Sequence, residues 1–466
     1  MNKRETVKVA FYTLGCKLNQ AETESLAGQF SEAGYRLASP NDVADIYIAN
    51  TCTVTHIADR KSRHWLRLAK RRNPQAFVIA TGCYVQRASQ ELAQIADLVL
   101  DNDEKAHLLD IVEGLLWSTS SSVIASPSLH NCESFPLCHS EGAKRLKNLV
   151  QGRLPEAIPR FHNVRVRSLI KIQDGCHSPC TYCIVPRVRP REYSLPASQI
   201  IEEIGHKVAM GYREVVLTGT KVGCYKDTVL SASEGSGAGL GDLVERILCQ
   251  TNIERLRLSS LQPQEISPEF LTLWQDKRLC RHFHLALQSG SEGVLQRMRR
   301  RYLIDDYQRA VNLIKEVVPQ VAITTDVMVG FPGESDEEYE QSYLFCQQAG
   351  FANIHVFPFS PRPGTAAARM PNQVRDEVKK ERAQMMLELA RNCRHNFCEQ
   401  FLGQSMPVLW EKETNLGSGV YSGLTDNYLR VFTPSDRPLS NTIAPVKLVG
   451  LHEQGMWGEL VGESSS

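Results

Sequence analysis

The first 115 residues alternate short apolar runs with amphipathic stretches, in which apolar residues recur every three or four positions. Short apolar runs bounded by turn residues predict strands, and the longer periodic stretches predict helices. The predicted strands cover residues 7–14, 46–49, 77–81 and 98–100, and the predicted helices cover residues 21–33, 57–71 and 88–95. This alternation predicts an α/β domain in which helices cover a parallel sheet.

A second alternating region follows in the middle of the chain. Its predicted strands cover residues 167–172, 214–217, 255–259, 282–287, 322–328 and 353–359. The predicted helices between them cover residues 196–210, 240–248, 305–317 and 337–349. Because a complete barrel of this type needs eight strand–helix units, six strands predict a partial (β/α)6 barrel.

The end of the chain has a different pattern. After a predicted helix over residues 376–401, strand-like stretches over residues 406–410, 419–424, 428–432, 444–452 and 458–461 are joined by Gly, Asn, Asp and Pro turns. This pattern predicts a small β-barrel. Residues 118–160 are rich in Ser, Pro and Gly without a sustained period, which predicts a linker or insertion. The expected organisation is therefore α/β and multidomain, with domains 1–117, 161–401 and 402–466 around the linker 118–160.

The amino-acid composition indicates the cellular compartment in which the protein is expected to work. The chain has 14 Cys in 466 residues, and its start, interrupted by Glu5 and Lys8, lacks the apolar core of a secretory signal. We expect a cytoplasmic protein, whose thiols are free, catalytic or metal-bound. The longest uncharged run, residues 114–132, is too polar to span a membrane, so no membrane partner is expected. With 53 basic against 52 acidic residues, only local patches can bind an anionic partner.

One cysteine motif directly follows the first predicted strand of the barrel region. Cys176, Cys180 and Cys183 are spaced by four and three residues, so that three thiolates can surround one corner of a cubane. Soft sulfur ligands select iron–sulfur clusters or zinc. Zinc usually takes four ligands in a closed site, and His177 is too close to Cys176 in sequence for easy joint chelation. Three ligands leave one iron of a four-iron cluster open, although a zinc site or inert thiols remain the alternative.

A second set of cysteines lies in the first domain. Cys16, Cys52 and Cys83 are far apart in sequence, yet each follows a predicted strand. The ends of parallel strands open on the same edge of a sheet, which is where ligands bind. Three thiols on one edge indicate a second cluster, with ordinary buried cysteines as the alternative.

Together, these motifs resemble a known family. The CxxxCxxC motif after a strand resembles the radical S-adenosylmethionine superfamily. Leu14-Gly-Cys-Lys-Leu-Asn-Gln with Glu22, the Asn-Thr-Cys and Thr-Gly-Cys strand ends and the CxxxCxxC motif resemble, in this order, the radical methylthiotransferases. The barrel segments Thr218–Thr220, Gln288–Ser291 and 330–334 agree with this resemblance.

The resemblance implies two [4Fe-4S] clusters and S-adenosylmethionine as cofactors. Cys176, Cys180 and Cys183 would hold the cluster that cleaves S-adenosylmethionine to a 5′-deoxyadenosyl radical, and Cys16, Cys52 and Cys83 would hold the auxiliary cluster that carries sulfur. A second S-adenosylmethionine would donate the methyl group, and no side-chain general base is expected for the radical step. The positions expected to contact the cofactor are Tyr182, Thr218, Gly219, Thr220, Gln288, Ser289 and Ser291. Core packing of Tyr182 and simple turn formation by the other residues are the alternatives.

The family divides by substrate. The segments around Cys16 and from Cys52 to His56 most resemble the branch that acts on N6-threonylcarbamoyladenosine in tRNA, next to the anticodon. The isopentenyl branch usually has Gln-Met-Asn after its first Cys and Arg soon after its second, and neither is present here. Action on an isopentenylated tRNA or on an aspartate of a ribosomal protein are the alternatives within the family. A non-catalytic iron–sulfur RNA-binding sensor is the alternative from another class.

An RNA substrate fits local charge patterns. Residues 60–72 contain seven Lys or Arg around Trp65, residues 297–301 contain four Arg, and Arg187, Arg189 and Arg191 follow the cluster motif. Such segments can neutralise phosphates or form solvated helix faces. The C-terminal barrel resembles the OB-like TRAM domain, an RNA-binding module. The candidate RNA contacts are Tyr421, Tyr428, Phe432, Arg299, Arg300 and Arg301, with barrel-core packing as the alternative for the aromatic residues. The other expected partner is an electron donor such as flavodoxin or ferredoxin, and the protein is expected to be a monomer.

Overall fold

The structure is a computed structural model that describes residues 3–117, 166–227, 238–415 and 417–462. The predicted linker 118–160 lies outside the described residues. The chain divides into two compact units: Met1–Asn163 with Ile184–Pro190, and Val164–Cys183 with Arg191–Ser466. Among the described residues, no helix is both long enough and apolar enough to cross a membrane.

The first unit is the predicted parallel α/β domain. Its elements are β1 (Lys8–Thr13), α1 (Lys17–Glu32), β2 (Arg36–Ala38), β3 (Ile46–Thr51), α2 (His56–Arg72), β4 (Phe77–Gly82), α3 (Cys83–Ala93), β5 (Leu98–Leu100) and α4 (Leu108–Trp117), with 3₁₀ turns Lys3–Thr6 and Glu104–His107 and the short helix Val185–Val188. All the predicted strands and helices of this region are present. The hydrophobic pattern missed β2 and α4.

The five strands of this unit form one parallel sheet in the order β2-β1-β3-β4-β5. Successive side chains of a strand point to opposite faces. Val9 and Ile48 belong to one apolar core, whereas Ala10 and Tyr47 belong to a second core. Both faces are therefore buried, which explains why these strands read as nearly continuous apolar runs.

The second unit contains the six predicted parallel strands of the middle region. Its strands are β6 (Arg167–Asp174), β7 (Tyr193–Ser194), β8 (Glu214–Gly219), β9 (Arg255–Leu258), β10 (Ser260–Leu261), β11 (His282–Leu285), β12 (Ala322–Val329) and β13 (Asn353–Pro358). They form two four-stranded sheets, β7-β6-β8-β9 and β10-β11-β12-β13. Only Ser259 separates β9 from β10, so one stretch of chain passes from the first sheet to the second.

Helices follow most of these strands, as the sequence predicted. They are α5 (Ala197–Ala209), α6 (Leu240–Gln250), α7 (Pro268–Leu271), α8 (Glu292–Arg297), α9 (Ile304–Val317), α10 (Asp336–Ala349) and α11 (Asp376–Glu399), with 3₁₀ turns Val222–Cys224, Pro263–Glu265, Thr272–Gln275 and Ala367–Arg369. Apolar residues of the strands and of the helix faces share one continuous core. This core holds the ends of the strands in fixed positions.

The C-terminal segment forms the predicted small barrel. Strands β14 (Ser405–Glu413), β15 (Val420–Thr425), β16 (Arg430–Pro434), β17 (Ile443–His452) and β18 (Gly455–Leu460) close in the order β14-β15-β16-β18-β17. Trp410 is fully buried in its core. Arg255, at the start of β9, donates hydrogen bonds to the carbonyl oxygens of Leu424 (2.9 Å) and Pro407 (2.8 Å). The barrel therefore packs at the start of this strand, opposite the strand end that leads towards the predicted chemistry.

Candidate functional site

The three cysteines of the first unit lie at one edge of its sheet. Cys16 is the N-cap of α1, and Cys83 is the first residue of α3. Cys52 follows the last residue of β3, Thr51, which is paired in register with Gly82. Cys52 and Cys83 are thus the next residues of two adjacent strands, as the strand-end argument predicted.

Two glycines let the loops that carry these cysteines approach closely. Gly15 has φ +107°, and a Cβ there would lie 2.8 Å from the Sγ of Cys52. Gly82 has φ +99°, and a Cβ there would lie 2.5 Å from the Oδ1 of Asn50. A side chain at either position would strain the backbone and push the loops apart. Glycine is therefore required at both positions for these loops to lie as close together as they do.

The thiols are close enough to influence one another electrostatically. Burial raises the pKa of Cys52 to about 12, and the nearby Cys83 and Cys16 thiols raise it as well. Burial also raises the pKa of Cys16, whereas the positive charge of Arg189 acts to lower it. Among the described residues, no three His, Cys, Asp or Glu side chains can hold a single metal ion. Thiolates are the ligands that iron–sulfur clusters take in proteins, so the chemistry of this trio is compatible with such a cluster.

A buried charge network lies beside this trio. The carboxylate of Glu22 accepts hydrogen bonds from Arg189 (2.8 Å and 3.0 Å) and from the Nζ of Lys105 (2.6 Å). The Nη2 of Arg189 also donates to the Oδ1 of Asn19 (2.9 Å), and the Nδ2 of Asn19 donates to the carbonyl oxygens of Leu14 (2.9 Å) and Thr51 (3.1 Å). The network thus ties together the loops of Cys16 and Cys52.

The position of Arg189 in the structure differs from its predicted role. It was grouped with Arg187 and Arg191 as a phosphate contact, but its side chain is only 4% exposed because it pairs with Glu22. Arg187 and Arg191 are exposed as expected. The roles of Arg189 and Lys105 are not evident from the sequence. The only available signal was the Asn-Gln-Ala-Glu run that ends at Glu22.

The CxxxCxxC loop of the second unit is also held from several sides. Gly175 has φ +75°, and a Cβ there would collide with the carbonyl of Arg191. The hydroxyl of Thr181 donates to the carbonyl of Arg297 (2.9 Å), and its backbone N–H donates to that of Met298 (3.1 Å). The three sulfurs belong to half-buried residues, consistent with a loop that presents thiolates to a shared group.

Arg300 differs from its predicted role. Its Nη1 donates a hydrogen bond to the Sγ of Cys180 (3.4 Å), and its guanidinium lies 4.9 Å from the ring centroid of Tyr302. Arg300 is therefore turned towards the cysteine loop, whereas Arg299 and Arg301 are exposed.

The residues predicted to contact the cofactor divide into two groups. Gly219 and Thr220 are half-buried at the end of β8, where the hydroxyl of Thr220 donates to Asp174 (3.4 Å). Gln288 is half-buried and has φ +70° just beyond β11. These positions leave polar groups at the strand ends, on the side where ligands bind in such folds.

The other predicted cofactor residues are buried or pack on apolar side chains. Thr218 and Ser291 are buried, and the hydroxyl of the buried Ser289 shares a hydrogen bond with that of Ser342 (2.9 Å). Tyr182 is half-buried and packs on an apolar cluster that includes Met298 and Phe331. Core packing, the alternative for Tyr182, thus describes much of its surroundings.

The aromatic residues predicted to contact RNA lie in different environments. Tyr421 is 8% exposed and belongs to the barrel core, as the core-packing alternative requires. Phe432 is 6% exposed, and its ring lies 6.0 Å from that of Trp457. Tyr428 is 36% exposed and stacks on His282 at 4.4 Å. Trp457, which sequence analysis did not select, is also exposed.

Comparison with known proteins agrees with this arrangement. Residues 8–101 match the family described as Uncharacterized protein family UPF0004, and residues 170–346 match the radical SAM superfamily. The chain is 36% identical to the threonylcarbamoyladenosine tRNA methylthiotransferase MtaB of Aquifex aeolicus, over 91% of this chain and 96% of that protein. It is 34% identical to the MtaB of Bacillus subtilis, over 95% of this chain and 93% of that protein.

Two further similarities extend the comparison. The chain is 31% identical to the tRNA-2-methylthio-N(6)-dimethylallyladenosine synthase of Syntrophotalea carbinolica, over 97% of this chain and 100% of that protein. Among solved structures, it is similar to the radical S-adenosylmethionine methyltransferase TsrM from Kitasatospora setae with tryptophan and a cofactor analogue bound. The TM-score is 0.51 at 13% identity, over 75% of this chain and 72% of that chain, so this similarity concerns the fold alone.

Proposed function

Because the chain belongs to the radical S-adenosylmethionine tRNA methylthiotransferase family, we propose that it converts N6-threonylcarbamoyladenosine next to the tRNA anticodon (adenosine 37) into its 2-methylthio derivative. The observation that carries this choice is the similarity, over more than nine-tenths of the chain, to two relatives named for that substrate. The Thr-Val-Thr-His segment after Cys52 supports the same choice. Family membership sets aside the alternative of a non-catalytic sensor.

The two cysteine sets are proposed to hold the two [4Fe-4S] clusters that enzymes of this family use. Cys176, Cys180 and Cys183 would hold the cluster that binds S-adenosylmethionine, and Cys16, Cys52 and Cys83 would hold the auxiliary cluster. When bound, these groups supply the radical, the sulfur and the methyl group. The chain itself positions the ligands: Gly15 and Gly82 let the auxiliary loops meet.

Arg300 and the strand ends complete the proposed cofactor site. Arg300 donates a hydrogen bond to the Sγ of Cys180 and is proposed to help fix the position of this ligand. Gly219, Thr220 and Gln288 are proposed to contact S-adenosylmethionine directly, because they present polar groups at the strand ends. We propose that Tyr182, Thr218, Ser289 and Ser291 act by packing, which fixes the conformation of these strand ends.

The domain limits and partners follow from this proposal. We assign residues 1–117 to the methylthiotransferase domain, 161–401 to a partial (β/α)6 radical core and 402–466 to a TRAM module. Arg299, Arg301 and Tyr428 are the exposed members of the predicted RNA surface. The proposed partners are a tRNA and an electron donor such as flavodoxin or ferredoxin. The protein is proposed to be a monomer.

Nucleoside mass spectrometry of tRNA tests the substrate. A deletion strain should lose 2-methylthio-N6-threonylcarbamoyladenosine and accumulate its precursor, and the intact gene should restore the product while the Cys52→Ala variant should not. An unchanged product level in the deletion strain would refute the proposal.

One relative favours a second candidate, since the dimethylallyladenosine synthase matches 97% of this chain. Loss of 2-methylthio-dimethylallyladenosine in the same deletion strain would identify that substrate instead. A strain in which both tRNA products persist would point to the ribosomal-protein alternative.

A further inference from the structure

A cationic cavity lies on the two helices that begin shortly after Cys52 and at Cys83 in the chain. It has a volume of about 350 Å³ and is lined by His56, Ile57, Asp59, Arg60, Arg63 and Arg87. We call it the arginine cavity. All its lining residues belong to the first unit, and they come from α2 and α3, the helices that follow Cys52 and begin at Cys83.

One wall of the arginine cavity is held by a buried carboxylate. The Nε of Arg87 donates to the hydroxyl of Thr53 (2.7 Å), and its Nη2 donates to the Oδ2 of Asp59 (3.0 Å). The hydroxyl of Thr53 in turn donates to the Oδ1 of Asp59 (2.6 Å). Because Thr53 is the residue after Cys52, this wall is coupled directly to an auxiliary cysteine.

Two of the lining arginines pack on Tyr84, the residue after Cys83. The guanidinium carbons of Arg63 and Arg87 lie 5.8 Å and 4.9 Å from the centre of its ring. Arg63 also donates to the Tyr84 hydroxyl and pairs with Glu91 at 3.1 Å. Both guanidinium groups are therefore ordered before any ligand arrives, which lowers the entropic cost of binding.

The charge of the cavity favours an anion. Arg60 lies one turn before Arg63 on α2 and is exposed. The three arginines outnumber Asp59 and Glu91, the two carboxylates that pair with them. Planar guanidinium groups bind carboxylates and phosphates in a two-bond geometry that an apolar group cannot use.

We propose that the arginine cavity binds the carboxylate of the substrate's threonylcarbamoyl group and so selects this substrate over an isopentenylated one. The inference rests on the proposed function. The threonylcarbamoyl group carries an anionic carboxylate, whereas an isopentenyl group is apolar and offers the arginines no hydrogen-bond acceptor. A site built for a polar group rejects an analogue that lacks it more strongly than an apolar pocket rejects a methylene. The lining residue Arg87 contacts both Thr53 and Tyr84, which are the residues after Cys52 and Cys83, so the cavity is connected to the segments that carry two of these cysteines.

The test compares three anticodon stem-loop RNAs on the reconstituted full-length enzyme. They carry N6-threonylcarbamoyladenosine, its methyl ester, or unmodified adenosine at the same position. The native enzyme should bind the free carboxylate at least about tenfold more tightly than the ester, as expected for charge-assisted hydrogen bonds. Arg60→Gln and Arg63→Gln should each remove most of this preference, while the affinity for unmodified RNA changes little.

The matched control is Arg67→Gln, which removes the same charge from an exposed position of α2 outside the cavity. It should change the affinity for all three RNAs by the same factor and keep the preference for the carboxylate. Arg63→Lys, which retains the charge, should keep part of the preference if the fold around Tyr84 is intact. Equal weakening of all three RNAs by Arg60→Gln and Arg63→Gln would instead identify a phosphate contact and overturn the proposal.

Mass spectrometry of the reacted RNA separates this inference from the proposed function. If the native enzyme does not methylthiolate the threonylcarbamoylated RNA, the proposed function fails. If it does, but binds the acid and its ester equally, only the assignment of the arginine cavity fails.

Discussion

Glu22 is the point at which one substitution should disrupt the auxiliary site. Its carboxylate is the shared partner of Arg189 and Lys105, and the three side chains are 10%, 4% and 5% exposed. Glu22→Gln keeps the size of the side chain and removes its charge. Two cations would then share one buried region without their common carboxylate.

The expected cost follows from the desolvation of these cations. Removing one member of a buried ion pair costs about 3–5 kcal/mol, because the remaining charge stays away from water. For a unit of this size, the melting temperature should fall by roughly 10 °C. The same variant should bind less auxiliary iron, since Asn19 and Arg189 connect the loops of Cys16 and Cys52.

The assay is calorimetric unfolding of the metal-free protein, followed by iron analysis after reconstitution. Asp110→Asn is the control, because this carboxylate belongs to the same unit but is 81% exposed. It should change stability by less than about 0.5 kcal/mol. Adding Lys105→Met to Glu22→Gln should restore part of the lost stability, because one buried charge is removed. A melting temperature for Glu22→Gln within about 2 °C of the native value would refute this reasoning.

Three further predictions concern the clusters, the loops and the second unit. Cys52→Ala should lower the iron content from about eight to about four atoms per chain and leave cleavage of S-adenosylmethionine intact, so an unchanged iron content would count against two clusters. Gly82→Ala should cost about 2–3 kcal/mol in urea unfolding, because its φ of +99° and the contact with Asn50 both oppose a Cβ, and a neutral result would exclude this strain. Burial alone would raise the pKa of Glu214, but Arg257 lowers it below its usual 4.5, so its stabilisation is complete above pH 4.5 and is lost as the pH falls through the lower folded pKa. Melting curves between pH 6 and pH 3 should therefore be less acid-sensitive in Glu214→Gln than in the native protein, and parallel curves would contradict this.

The sequence determined the architecture through local patterns. Continuous apolar runs such as residues 46–49 predict strands buried on both faces, and β3 lies there. The position of each cysteine after a predicted strand was also sufficient to place Cys16, Cys52 and Cys83 at one edge, because parallel strands end on the same side. The spacing of Cys176, Cys180 and Cys183 was equally local.

The first residues of the helices were harder to predict from the sequence, because contacts with other parts of the chain set them. Helix α1 begins at Lys17 and not at residue 21, since Cys16 serves as its N-cap. Helix α3 begins at Cys83, and its dihedral angles break at Ala88, where the apolar period suggested a start. In both cases the packing of neighbouring loops on glycine, and not helical propensity, sets the first turn.

Only the tertiary structure decided which charged residues belong to the sites. Glu22 and Arg189 are separated by 167 residues, and Arg300 reaches Cys180 across 120 residues. In sequence these arginines look like surface phosphate contacts, because a basic residue in a polar segment is usually solvated. In the fold, Arg189 is buried against the carboxylate of Glu22, and the half-buried Arg300 donates a hydrogen bond to the Sγ of Cys180. Local sequence patterns thus determined where the cysteines lie. The charged side chains that contact the cysteine loops, such as Arg189 and Arg300, are distant in sequence, so only the tertiary structure identified them.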